Sequence, residues 1–174
     1  MATSAVLAVL LAGGIAHADG PASTVSGAST VAGETISSAT SMKLLEVATD
    51  AARAHGLALS FAIVDPAGHL VAAVRMDGAP FASLDFARGK AYASVALGGQ
   101  SGATLEQRFK DNPSEYTNMG GAGYYAPFLP ARGALPIFIG GKLAGALGAS
   151  GAPSDIDEDA VKRAIESIGA SATR

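Results

Sequence analysis

Residues 57–80, LALSFAIVDPAGHLVAAVRMDGAP, constrain the fold more than any other stretch of the chain. Large side chains alternate at Leu57, Leu59, Phe61 and Ile63, the period of two that gives a strand one large-residue face. The return run places Leu70, Ala72, Val74 and Met76 on one face and His69, Val71, Ala73 and Arg75 on the other. Pro66-Ala67-Gly68 between the two runs predicts a hairpin. The pattern then recurs. Gly68-His69-Leu70 matches Gly141-Lys142-Leu143, and Gly78-Ala79-Pro80 matches Gly151-Ala152-Pro153, at a constant offset of 73 residues. The register continues through Asp85 and Glu158, Ala87 and Ala160, Lys90 and Arg163, Ala91 and Ala164, Val95 and Ile168. A β-β-α unit used twice implies an α/β chain of the α+β type, with a mainly antiparallel sheet covered by helices.

Around the two hairpins the remaining elements follow from periodicity and punctuation. A first helix is predicted over 37–55, with Met42, Leu45, Ala48 and Ala52 at helical spacing and Gly56 just past its end. A second spans 83–97, with Leu84, Ala87, Ala91 and Val95 on one face. A short helix over 104–110 opens on Thr104-x-x-Gln107, a capping-box pattern. Residues 111–134 read as a long irregular loop, 135–139 and 142–149 as strands joined at Gly140-Gly141, and 154–168 as the last helix.

Size and charge narrow the function classes. A chain of 174 residues with 49% apolar content and a net charge of −3 makes one compact domain, here 37–170. Its 12 Lys and Arg are spread along the chain, with Lys162-Arg163 the one adjacent pair, and no surplus of positive charge argues for nucleic acid. Without Cys there is no disulfide, thiolate nucleophile or covalently attached haem. Residues 1–18 resemble a secretory signal peptide: an apolar core from Ala5 to Ile15, too short to span a bilayer, precedes Ala16-His17-Ala18. The basic n-region is missing from Met1-Ala2-Thr3-Ser4. Residues 19–36, rich in Ser, Thr, Gly and Ala, read as a flexible arm, and the mature protein is expected to be secreted or periplasmic.

No G-x-S-x-G elbow, H-E-x-x-H helix, phosphate-binding loop or dinucleotide fingerprint occurs. The sharpest chemical signal is a difference between the two copies: Arg75-Met76-Asp77 in the first stands where the second has Gly148-Ala149-Ser150. Either the charged residues cap a strand end, an arrangement contributing about 0–1 kcal/mol at a surface, or they mark a cleft.

The residues Ile63-Val64-Asp65-x-x-Gly68-x-Leu70-Val71, Arg75-Met76-Asp77-Gly78-Ala79, Lys90-Ala91, Pro136-Ile137 and Gly145 to Ala152 resemble the GlcG/HbpS-like haem-binding family. That family also includes the C-terminal domain of the PduO corrinoid adenosyltransferases, and the resemblance covers 37–168. It implies an α/β sandwich, homo-oligomers that are octamers in some members, and, for exported members, haem binding, haem breakdown or iron release, and redox sensing beside a membrane sensor. The chain departs from the family at Ala131 to Pro136, where a Gly-rich approach is usual, and in an aromatic segment holding Phe109, Tyr116, Tyr124, Tyr125 and Phe128.

Candidate ligand residues follow from that reading. Haem requires an apolar slot, cations for two propionates and an axial ligand. Arg75 and Lys90 could receive carboxylates, and Tyr124 and Tyr125, in a Gly-rich loop, could lie against a flat ligand or an oligomer interface. The resemblance points to Thr104 as a haem contact, against its role as an N-cap. Of the histidines outside the leader, His55 suits a helix C-terminus, and His69 is the candidate metal ligand, at a turn that the second copy fills with Lys142. Asp155, Asp157, Glu158 and Asp159 read as dipole-complementing acids opening the last helix. Two alternatives stand beside haem binding. One is a cofactor-independent enzyme on a small carboxylated or aromatic metabolite, with Arg75 or Lys90 as anchor and Tyr124, Tyr125, Asp77 or His69 as acid or base; the other is an oligomeric interaction module for a membrane sensor.

Overall fold

The computed structural model describes residues 33–120 and 128–174, with the side chains of 118–120 left aside. The leader and most of the arm, with Tyr124 and Tyr125, lie outside the described residues. The elements run α1 (Ser38–Ala54), β1 (Ser60–Val64), β2 (Leu70–Arg75), α2 (Ser83–Ala96), α3 (Gly102–Asp111), α4 (Pro113–Gly120), β3 (Ala134–Ile139), β4 (Lys142–Ser150) and α5 (Ser154–Ser167). The four strands form one antiparallel sheet in the order β2-β1-β4-β3. Each hairpin contributes two neighbouring strands, and β1 pairs with β4 to join them, Ser60 opposite Ser150 and Val64 opposite Ala146.

The two β-β-α units are present, but their helices end on opposite faces. On one face α1 and α5 cover Phe61, Ile63, Ile137 and Leu147, all fully buried, in the main core. On the other, α2 packs over β1 and β4, with Val64, Ala91, Val95 and Ala146 in contact. The choice of face has a local cause. Gly148 leaves the groove into which α2 sinks; a Cβ there would collide with the Ala87 carbonyl oxygen. Its counterpart is Arg75, on the edge strand that α2 leaves largely uncovered. Gly148 of the second copy is therefore a helix seat, whereas Arg75 and Asp77 of the first face solvent.

Four sequence expectations change. A bulge at Ile63/Val64 pairs Val64 with Leu70 and leaves Val71 unpaired, so Leu70 leaves the face of Ala72, Val74 and Met76 and is 47% exposed. The buried stripe of α1 is Ser41, Leu44, Leu45, Ala48, Thr49 and Ala52, which turns Met42 outward to 62% exposure. The long loop contains α4, and the short helix begins earlier than its capping box predicts: Ser101 is the N-cap of α3, its hydroxyl accepting from the Thr104 N–H at 3.1 Å. Ser37 caps α1 in the same way, and His55 ends it, as expected.

Candidate functional site

Among the described residues, a concavity lies between α1 and the edge of the sheet. β2 is an edge strand, and Met76 donates its N–H to the Leu59 carbonyl at 3.0 Å. By the alternation of an antiparallel ladder, the N–H and C=O groups of Ala73 and Arg75 then face away from β1. Beside them runs a groove of about 970 Å³ lined by Met42, Lys43, Leu45, Glu46, Thr49 and Arg53 of α1, by 56–58 at its exit and by 73–77. That is the upper end of the range for small-molecule sites.

The groove has an amphipathic lining. Leu45, Leu57, Val74, Met42 and Met76 supply apolar surface, and Lys43, Arg53 and Arg75 supply positive charge, against the carboxylates of Glu46 and Asp77. The cations differ in freedom. Lys43 has no ion pair or hydrogen bond among the described residues. Arg53 meets Asp50 at 2.6 Å in an exposed pair. Arg75 donates one N–H to the Ala79 carbonyl at 2.8 Å and keeps its other donors; it does not pair with Asp77. Thr49 is buried and its hydroxyl donates to the Glu46 carbonyl at 2.9 Å.

Lys90 is placed elsewhere, which corrects its reading as a free receiver of carboxylates. It is buried on α2, and its ammonium donates to Asp157 Oδ2 and to the Ala149 carbonyl, both at 3.0 Å. Asp157, expected among the exposed acids opening α5, is 1% exposed and accepts a second bond from the Ala152 N–H at 3.1 Å. Burial raises the Asp157 carboxyl above its ordinary value, with the Lys90 charge and its hydrogen bond opposing. Gly133 closes over the pair: at φ +109° it takes a backbone shape that side chains rarely adopt, and a Cβ there would lie 2.8 Å from the Lys90 ammonium. This lock ties α2, β4 and α5 together. The missed signal was a charged residue at 90 in the middle of the α2 face that carries Ala87 and Ala91.

The other candidates separate as well. His69 is exposed in the β1–β2 turn, 3.3 Å from Asp65, whose other oxygen accepts from the Ala67 and His69 N–H groups. It does not line the groove, and among the described residues no group of three His, Asp or Glu is gathered to hold a metal ion. The Thr104 hydroxyl is 2.9 Å from Ser101 Oγ at the start of α3. Phe109, Tyr116 and Phe128 pack on one another with centroids 5.7 to 6.4 Å apart, and the hollow beside them holds about 220 Å³. Tyr124 and Tyr125 lie outside the described residues.

Several solved structures share the fold. A PduOC–haem complex aligns with a TM-score of 0.72 at 22% identity, covering 80% of this chain and 99% of that one. The ORFY protein of Klebsiella pneumoniae gives 0.72 at 22%, covering 80% and 94%. A double mutant of HbpS from Streptomyces reticuli gives 0.71 at 24%, covering 95% and 99%. No functionally curated protein matches the sequence. The sequence profile of the family described as haem degrading protein HbpS-like matches residues 36–166, three quarters of the chain, and this protein belongs to that family.

Proposed function

We propose that the protein binds haem noncovalently in the groove between α1 and β2. The observation that carries the reading is the lining itself: an apolar wall, three cations and two thioethers, in a chain of a family described by haem degradation. Haem asks for an apolar slot, positive charge for its propionates and a donor for its iron, and the groove residues meet each demand. Lys43 and the spare donors of Arg75 would take the propionates. Arg53 can join them, because its exposed pair with Asp50 is worth about 0–1 kcal/mol and is easily exchanged. Bound haem would contribute a redox-active iron; the chain contributes a seat and the compensating charge. That the neighbouring PduOC fold was solved with haem supports the choice of ligand.

The test is a titration of the full chain with haemin. A saturable Soret shift at micromolar concentrations, weakened several-fold by Lys43→Glu with Arg53→Glu, is the expected result. Absence of a shift removes the haem reading, and a shift indifferent to the charge reversals removes the groove as its place. Haem degradation and export extend the same proposal. Loss of the Soret band under reductant with release of chelatable iron tests the first; N-terminal sequencing of the protein from the extracytoplasmic fraction, expected to begin after Ala18, tests the second.

A further inference from the structure

On the reading that haem occupies the α1–β2 groove, the donor set of that groove narrows the iron ligand to a single side chain. Among the described residues the lining holds no His and no Tyr, and the chain has no Cys. His55 caps α1 and His69 sits in the β1–β2 turn, neither of them in the lining. Of the side chains that ordinarily hold haem iron, the described lining offers thioethers, Met42 and Met76.

The two sulfurs are not equivalent. Met76 Sδ accepts the Leu59 N–H at 3.4 Å, while the Met76 N–H donates to the Leu59 carbonyl at 3.0 Å. The sulfur thus stands in for a ladder carbonyl at the end of the sheet. Leu59 is fully buried, so pulling the sulfur away would strand a buried donor. Met42 carries no such duty. It is 62% exposed on α1 beside Lys43, its sulfur makes no hydrogen bond among the described residues, and it still lines the groove. Its unbranched, three-bond side chain can swing over a flat ligand without disturbing the core.

We propose that Met42 is the protein ligand to the iron of haem bound in this groove, and that Met76 is a structural thioether holding the sheet end. The experiment compares the full-length wild type with Met42→Leu, Met42→His and Met76→Leu, each loaded with haemin. Its readouts are the Soret shift, the weak far-red charge-transfer band of thioether-ligated ferric haem and the midpoint potential. The wild type and Met76→Leu are expected to show the far-red band. Met42→Leu should still shift the Soret band, bind several-fold more weakly, lose the far-red band and fall in potential, because methionine ligation raises it. Met42→His should bind tightly without the band. A far-red band that survives in Met42→Leu, or a wild-type haem complex lacking it, overturns the assignment of Met42 while leaving haem binding intact. No Soret shift in the wild type is the separate failure of the haem reading, and the ligand assignment falls with it.

Discussion

Lys90 and Asp157 show how much one buried pair changes the account of a helix. Both charges are out of water, and each is compensated by the other and by a backbone group, the Ala149 carbonyl on one side and the Ala152 N–H on the other. Removing one partner leaves the other charge uncompensated. Asp157→Asn or Lys90→Met is therefore expected to cost about 3–5 kcal/mol in urea unfolding, whereas the double replacement Lys90→Met with Asp157→Leu should cost far less than the two singles together. The pair also gives the fold a pH dependence of fixed sign. Because burial raises the Asp157 carboxyl in the folded state, the native protein holds that proton more tightly than the unfolded chain does. Its contribution makes stability fall as pH rises from the unfolded value of 3.8 through the raised folded one, and Asp157→Asn should remove this component from the stability–pH curve.

At the level of elements, capping and close approach carry the testable content. Ser101 rather than Thr104 opens α3, so Ser101→Ala is expected to cost about 1 kcal/mol by thermal or urea unfolding, and Thr104→Ala distinctly less. Periodicity alone misplaced this start because the sequence offers two hydroxyl residues three positions apart, and only the extended backbone at Ser101 decides between them. Helix α2 depends on the missing side chain at Gly148. Gly148→Ala would drive a methyl into the Ala87 carbonyl, with an expected loss of about 1–3 kcal/mol, the range for overpacking a filled core, measured by chemical denaturation. The contrast between Arg75 and Gly148 was legible in the sequence as a difference between two copies. Its cause was not, since it depends on which strand the helix settles against.

For the whole molecule, three exposed apolar side chains carry the prediction. Phe81 is 90% exposed, Phe86 51% and Leu70 47%, around the N-terminal half of α2 and the edge strand. Scattered apolar residues are ordinary on a surface, but these three are large side chains left exposed on the edge strand β2 and in and just before the first turn of α2. A homo-oligomer that buries these side chains is accordingly expected in solution, with Phe81→Glu and Phe86→Glu together reducing its mass by light scattering while leaving the monomer fold intact by circular dichroism. Among the described residues, the outward N–H and C=O groups of Ala73 and Arg75 on the same edge strand meet no further strand.

The two hairpins, the twice-used unit and helices α1, α2 and α5 were legible in the residues alone, because strand alternation, helical spacing and turn residues act between positions close along the chain; α4 and the start of α3 were not. The sequence also determined the family, through the hairpin from Ile63 to Ala79 and the small-residue strand ending at Ala152. Packing between distant segments settled which face each helix would cover, that Lys90 would meet a carboxylate 67 residues away, and that α1 and β2 would leave a groove between them. The reason is physical. Whether a cation is a surface anchor or a buried lock depends on the solvent it loses when distant segments pack, and that loss has no signature in the spacing of residues along the chain.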